Sequence, residues 1–155
     1  MLDWRCIVTL NKLNILVING PNLNLLGIRE KNIYGSTTLK EINSTIKKSF
    51  DENLVNIDFY QSNIEGEIVS KIGNFSNEYD GIVINPAAYS HYSIAILDAI
   101  RSIDIPVVEV HISNIYKREE YRRKSVTGEG CIGVVSGFGY HGYIMAVWYL
   151  LKNIK

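Results

Sequence analysis

The sequence predicts an α/β fold, a doubly wound sheet of five parallel strands covered by helices on both faces. Two observations support this prediction. Short apolar runs rich in β-branched residues recur along the 155 residues, and segments with apolar residues at three- and four-residue intervals separate them. Crossovers of this length join successive strands into one parallel sheet, with helices on its two faces.

The strands are predicted at residues 15–19, 55–60, 81–85, 106–111 and 131–135. The second run alternates in polarity, as a half-exposed edge strand does. Helices are predicted over residues 39–50, 64–75, 90–102 and 139–151. Ser90 is the expected N-cap of the third helix, and Pro106 marks the entry to the fourth strand. Five strands favour a flavodoxin-like, three-layer α/β/α domain over a barrel, which needs about eight repeats.

Composition narrows the possible functions of this single domain, predicted over residues 1–155. Sixteen basic and 16 acidic residues cancel, which argues against a nucleic-acid partner. Cys6 and Cys131 lie far apart and the histidines show no close pairing, so neither a disulfide scaffold nor a metal site is expected. No apolar run is long enough to span a membrane, and no signal peptide is recognisable. We therefore expect a cytoplasmic protein.

Polar residues follow three of the predicted strands. In open parallel sheets, ligands bind outside the carboxyl ends of the strands. Asn22 follows the first strand, and Asn85 ends the third, with His91 beyond it. His111 and Ser113 lie at the end of the fourth. These groups include no carboxylate cluster, which a metal pocket for phosphoryl transfer would need.

Glu109 and His111 are two residues apart on a predicted strand and therefore point to the same face. A carboxylate in this position can bind one imidazole nitrogen, fix the tautomer and raise the proton affinity of the ring. A histidine held in this way is a good general acid. A buried structural ion pair is the alternative interpretation, and the position at a strand end favours function.

The connection over residues 20–38 is long for a strand-to-helix link and contains three glycines, as active-site lids commonly do. It also carries Arg29 and Tyr34. A free phenol has a pKa of about 10, and a neighbouring guanidinium favours its ionised form. Tyr34 is therefore either a surface aromatic residue or a base activated by Arg29.

Residues 116–124 form a charged run, YKREEYRRK. Its simplest interpretation is a solvated helical face with pairs at i,i+3 and i,i+4. The functional alternative is that Arg118 or Arg122 reaches back to an anionic ligand, and the pattern leaves both possibilities open. His141, at the start of the last helix, is expected to be structural.

These residues resemble the type II 3-dehydroquinate dehydratases over about residues 13–151. The most specific stretches are NGPNLNLLG at 19–27, Arg29-Glu30 with Tyr34-Gly35, QSN at 61–63 with Glu65-Gly66, and EVHISN at 109–114 with Arg118 and Arg122. The resemblance implies a flavodoxin-like fold and a dodecamer built from trimers. It also implies anti elimination of water from 3-dehydroquinate through an enolate, in chorismate and aromatic amino acid biosynthesis, without metal or cofactor.

The same resemblance implies a role for each catalytic residue. Tyr34 takes a proton from C2 of the substrate, and Arg29 favours its ionised form. His111 protonates the departing C1 hydroxyl, and Glu109 orients it. Asn22 holds a water or the enolate oxygen, as an oxyanion hole does.

Substrate binding falls, by resemblance, to Asn85, His91, Ile112, Ser113 and Arg122. Asp98 matches a position that reaches the site of a neighbouring subunit. Residues 1–12 extend beyond the usual start of the family and are interpreted as an N-terminal extension.

Three other functions fit the same architecture, because a fold does not determine function. A flavin carrier needs a phosphate-binding loop rich in hydroxyls after the first strand, whereas residues 21–25 are PNLNL. A signalling receiver domain needs acidic residues where Asn19 and Asn85 stand. A non-catalytic binding protein is disfavoured because the chain keeps together the four candidate catalytic residues Asn22, Arg29, Tyr34 and His111.

Overall fold

The computed structural model describes residues 12–28 and 36–154. Within this part of the chain, five parallel strands form one sheet in the order β2-β1-β3-β4-β5. The strands are β1 (Leu13–Asn19), β2 (Val55–Gln61), β3 (Gly81–Asn85), β4 (Val107–His111) and β5 (Gly133–Ser136). This is the flavodoxin-like order, and it confirms the prediction that the second strand lies at an edge.

The four α-helices of the described residues are α1 (Leu39–Lys48), α2 (Glu65–Phe75), α3 (Ile94–Arg101) and α4 (His141–Asn153). The predicted start of α3 was wrong. Ser90 lies in a separate 3-10 helix, Ala87–His91, where its hydroxyl donates to the Ala87 carbonyl at 2.8 Å. Ser93 is the N-cap instead, and its hydroxyl accepts the Ile96 N–H at 3.0 Å.

The interpretation of residues 116–124 as a continuous helical face was also wrong. Two 3-10 helices, Ile115–Lys117 and Glu120–Arg122, occupy this region. The Asn114 side chain caps the first by accepting the Tyr116 N–H at 3.0 Å. The extended backbone of Arg118 (φ −91°, ψ −178°) then separates the two turns. An extended residue cannot continue the helical hydrogen-bond pattern.

Helices cover the sheet on both faces, so its central strands are apolar on both sides. One core cluster joins the sheet to α1 and α4 and includes Ile15, Val17, Ile42, Ile46, Tyr143 and Val147. The other joins it to α2 and α3 and includes Leu16, Ile18, Ile68, Ile72, Ile96 and Ile100. The alternation along β1 between the two clusters is the two-residue period of a strand. None of the described helices is both long and apolar enough to cross a bilayer.

The ends of β1 and β3 lie level, with Asn19 opposite Asn85. The chain leaves β1 through Gly20, whose N–H donates to the Asn85 carbonyl at 2.8 Å. A Cβ atom at Gly20 would lie 2.4 Å from the Pro86 carbonyl oxygen. Only glycine permits this approach, which brings together the two loops that follow the carboxyl ends of β1 and β3.

Candidate active site

A pocket of about 160 Å³ lies at the carboxyl ends of β1, β3 and β4. This is the ligand position of doubly wound sheets. Seven of the predicted site residues line it: Asn22, Asn85, His91, His111, Ile112, Ser113 and Arg122. Apolar side chains from the loop after β1 complete the wall, among them Leu23 and Leu26.

His111 and Glu109 form the predicted hydrogen bond beneath this pocket. His111 Nε2 lies 2.6 Å from Glu109 Oε1, and Glu109 is completely buried while His111 is 5% exposed. Since an ionised carboxylate only accepts, Nε2 carries a proton. A proton passed to a ligand would therefore leave from Nδ1 of His111.

Two hydroxyls that sequence reasoning missed also bind Glu109. Ser125 Oγ donates to Oε1 at 2.5 Å, and Thr127 Oγ1 donates to Oε2 at 2.5 Å. Together with His111 they provide three donors for a carboxylate without solvent, which offsets much of its desolvation. The spacing Ser-Val-Thr is common in loops, and nothing in it indicates a carboxylate 16 to 18 residues earlier.

His91 contributes a neutral imidazole. Its Nδ1 lies 2.8 Å from the Lys124 carbonyl oxygen, which can only accept, so Nδ1 carries a proton. Burial lowers the pKa of His91 from its ordinary value of 6.5, and the nearby His111 and Arg122 act in the same direction, although the bond to Lys124 opposes them. In this form Nε2 is a hydrogen-bond acceptor.

Asn22 adopts a left-handed conformation with φ 65°, which asparagine tolerates better than most residues. Its N–H donates to Asn63 Oδ1 at 2.9 Å, and Gln61 Nε2 donates to the same oxygen at 2.9 Å. Tyr89 donates to the Asn63 carbonyl at 2.7 Å. The QSN segment at the end of β2 therefore supports the loop that carries Asn22, a structural role absent from the sequence interpretation.

Arg118 and Arg122 both line the pocket, which supports the functional alternative for the charged run. Arg122 Nε lies 3.3 Å from Glu119 Oε2, and Arg118 Nε lies 3.5 Å from the same atom. Arg118 also reaches Ser113 Oγ at 3.4 Å. The shared carboxylate holds two guanidinium groups at the pocket wall, where they favour an anionic ligand.

The family model for Dehydroquinase class II matches residues 13–151. The chain belongs to the class II dehydroquinases. It is 67% identical over 141 residues to a 3-dehydroquinate dehydratase of Clostridium botulinum, with 91% of this chain and 96% of that protein covered. A 3-dehydroquinate dehydratase of Clostridium perfringens is 58% identical over 144 residues, with coverage of 92% and 99%.

Solved structures of the family have the same fold as this class II dehydroquinase. The type II dehydroquinase from Butyrivibrio crossotus aligns with a TM-score of 0.87 at 51% identity and covers 90% of this chain and 97% of its own. The enzyme from Propionibacterium acnes aligns with a TM-score of 0.87 at 39% identity, with coverage of 92% and 98%. These matches confirm the predicted flavodoxin-like fold and the predicted family.

Of the remaining predicted site residues of this class II dehydroquinase, Glu109 lies beneath the pocket and is not among the residues that line it. Arg29 and Tyr34 lie outside the described residues, so their roles stay predictions. Asp98 lies exposed on α3 and is not among the described residues of the pocket. His141 stacks on Tyr140 at 4.3 Å between ring centroids and likewise does not line the described pocket.

Side chains suited to metal or thiol chemistry are sparse in the part of the chain that the structure describes. Residues 12–28 and 36–154 contain no group of three or more His, Cys, Asp or Glu side chains placed to hold a metal.

Cys131 is partly buried, and burial together with Glu109 raises the pKa of its thiol to about 12. A thiol with this pKa stays protonated at neutral pH and is a poor nucleophile.

Proposed function

We propose that this class II dehydroquinase converts 3-dehydroquinate to 3-dehydroshikimate by anti elimination of water through an enolate. The observation that carries the proposal is His111, hydrogen-bonded to the buried Glu109 at the base of a pocket lined by amides, imidazoles and guanidiniums. The identity of 67% to a 3-dehydroquinate dehydratase supports it. The product belongs to chorismate and aromatic amino acid biosynthesis.

In the first step, Tyr34 takes a proton from C2 of the substrate, with Arg29 favouring the phenolate. The resulting enolate oxygen lies near Asn22, directly or through a water. In the second step, His111 acts as the imidazolium: it keeps the Nε2 proton and donates the Nδ1 proton to the C1 hydroxyl, which leaves as water. Glu109 holds the ring by its other nitrogen throughout.

Substrate binding uses the remaining pocket groups. The backbone N–H groups of Ile112 and Ser113 receive the carboxylate, and Arg122 adds positive charge beside it. The neutral His91 accepts from a ring hydroxyl, and Asn85 provides a carboxamide. No step in this scheme uses a metal or cofactor.

Conversion of 3-dehydroquinate is followed by the ultraviolet absorbance of the conjugated enone product. We expect activity in the purified protein, and we expect Tyr34→Phe to lower kcat by at least about 1000-fold with KM changed little, since loss of an essential base removes a transition-state interaction. Tyr116→Phe is the matched control, because Tyr116 is 70% exposed and is not among the described pocket residues.

Activity that persisted in Tyr34→Phe would show that another group is the base. Activity is also expected to survive treatment with a chelator, which removes metals. It should likewise survive treatment with substrate and borohydride, which traps imines, once the excess borohydride has been removed. Loss of activity in either reagent would contradict a reaction that relies on acid–base chemistry alone.

We also propose that the chain assembles with copies of itself in the cytoplasm, as a dodecamer built from trimers. Exposed apolar side chains around β5 and α4 support self-association. The position of Asp98, exposed on α3 and away from the described pocket wall of its own chain, supports a contribution to a neighbouring site.

A further inference from the structure

We infer that Tyr143 is a positioning residue. Its hydroxyl fixes the orientation of the Asn85 carboxamide, so that Asn85 presents an N–H donor to the pocket. Tyr143 lies on α4, 58 residues from Asn85 along the chain. The inference rests on the proposed function, because it concerns how the substrate is held.

The orientation of Asn85 follows from hydrogen bonds that run in one direction. The backbone N–H of Ala87 donates to Asn85 Oδ1 at 3.1 Å. A backbone N–H can only donate, so this contact identifies Oδ1 as the oxygen of the amide. Asn85 Nδ2 then faces Tyr143 and donates to its hydroxyl oxygen at 2.7 Å.

The hydroxyl of Tyr143 accepts one hydrogen bond and donates another, so the direction of donation continues from Asn85 to Asn19. Because it accepts from Asn85, its own proton is directed to another acceptor, Asn19 Oδ1, at 2.7 Å. Asn19 Nδ2 is consequently turned away and is buried with no partner among the described residues. An unpartnered buried donor is unfavourable, so the orientation of Asn19 is imposed by the other two residues.

All three side chains are buried, and water does not compete for these bonds. Burial also raises the pKa of Tyr143, so the phenol keeps its proton. One of the two Asn85 N–H groups is used by Tyr143. Since Asn85 lines the pocket, its second N–H is the group left to donate to a ligand oxygen.

The neighbouring backbone depends on the same amide. Ala87 has φ 52°, a conformation that is strained for an alanine, and its N–H is held by Asn85 Oδ1. Rotation of the amide would remove this bond and would present a carbonyl oxygen to the pocket. The Tyr143 hydroxyl therefore holds both the donor and the loop that follows β3.

The test is Tyr143→Phe, which removes only the hydroxyl. We expect KM for 3-dehydroquinate to rise about five- to tenfold, since a misoriented partner loses a hydrogen bond to substrate, with kcat within about twofold. Val147→Ala is the matched control, because Val147 is one turn along α4, equally buried and not among the described pocket residues. It should lower Tm and leave KM unchanged.

A double-mutant cycle with Asn85→Ala distinguishes positioning from general damage. Asn85→Ala should raise KM, and adding Tyr143→Phe to it should raise KM no further. An unchanged KM in Tyr143→Phe, an additive effect in the cycle, or an equal rise in Val147→Ala would overturn the inference. If Tyr143→Phe does not fold, Asn19→Ala replaces it, with a smaller rise in KM expected and an unchanged KM overturning the inference.

The wild-type assay separates this inference from the proposed function. Inactive wild-type protein would overturn both. Active wild-type enzyme whose Tyr143→Phe variant keeps its KM would overturn the positioning role alone.

Discussion

Glu109 is a completely buried carboxylate whose oxygens accept from His111, Ser125 and Thr127. Burying an ionised group is unfavourable unless several donors surround it. The two hydroxyls therefore stabilise the carboxylate in the orientation that holds His111. The same arrangement explains why removal of one donor should affect the reaction as well as stability.

We expect Thr127→Val to lower kcat about tenfold with KM nearly unchanged, because Glu109 Oε2 loses a charge-assisted hydrogen bond of about 1–3 kcal/mol and His111 is held less firmly. Steady-state kinetics and urea unfolding measure the two effects. Thr127→Ser is the control, since it keeps the hydroxyl and should retain most of kcat. A Thr127→Val enzyme with the kcat of the wild type would show that Thr127 does not help to position His111.

At the scale of elements, the site depends on how closely the loops after β1 and β3 approach. Gly20 N–H donates to the Asn85 carbonyl, and Pro86 leaves no room for a Cβ atom at Gly20. The strand ends therefore place Asn22 and Asn85 on the same pocket. A side chain at Gly20 must move one of these loops.

We expect Gly20→Ala to raise KM about tenfold and to lower the free energy of unfolding by about 1–3 kcal/mol, the usual range for overpacking. Gly66→Ala is the matched control, because a Cβ atom at Gly66 meets nothing within 4 Å. Gly66 lies in α2, where alanine is a better helix former than glycine. The free energy of unfolding of Gly66→Ala should therefore equal or exceed that of the wild type. Equal effects of the two substitutions would contradict the steric explanation.

For the whole molecule, the edge strand β5 and helix α4 form an apolar groove of about 550 Å³. Its lining includes side chains that are large, apolar and exposed: Ile132, Val134, Met145, Trp148 and Tyr149. The outer edge of β5 pairs with no other strand of residues 12–28 and 36–154, and an apolar groove beside such an edge favours association with another chain. This surface is the natural candidate for a contact in the proposed assembly.

We expect Trp148→Glu to reduce the size of the assembly in sedimentation velocity, because a carboxylate is disfavoured in a desolvated interface. Tyr116→Glu is the control, since Tyr116 is equally aromatic and 70% exposed and does not line this groove. If Asp98 contributes to the active site of a neighbouring subunit, the activity of Trp148→Glu should fall together with the size of the assembly. Unaltered sedimentation of Trp148→Glu would exclude the groove as a contact.

The sequence by itself determined the α/β class, the order of strands and helices, the edge position of β2 and the family. These properties follow from local periodicity and from contiguous motifs. It also predicted that Glu109 and His111 would meet, because a two-residue spacing on a strand places both side chains on one face. The polar residues at the strand ends were predictable for the same reason, since parallel strands end at a common edge.

The tertiary structure alone decided which distant residues support the site. Tyr143 reaches Asn19 across 124 residues, and Thr127 reaches Glu109 across 18. It also showed that the N-cap of α3 is Ser93 and not the predicted Ser90. Such contacts depend on how helices and loops pack against the sheet, and the local sequence pattern carries no information about that packing.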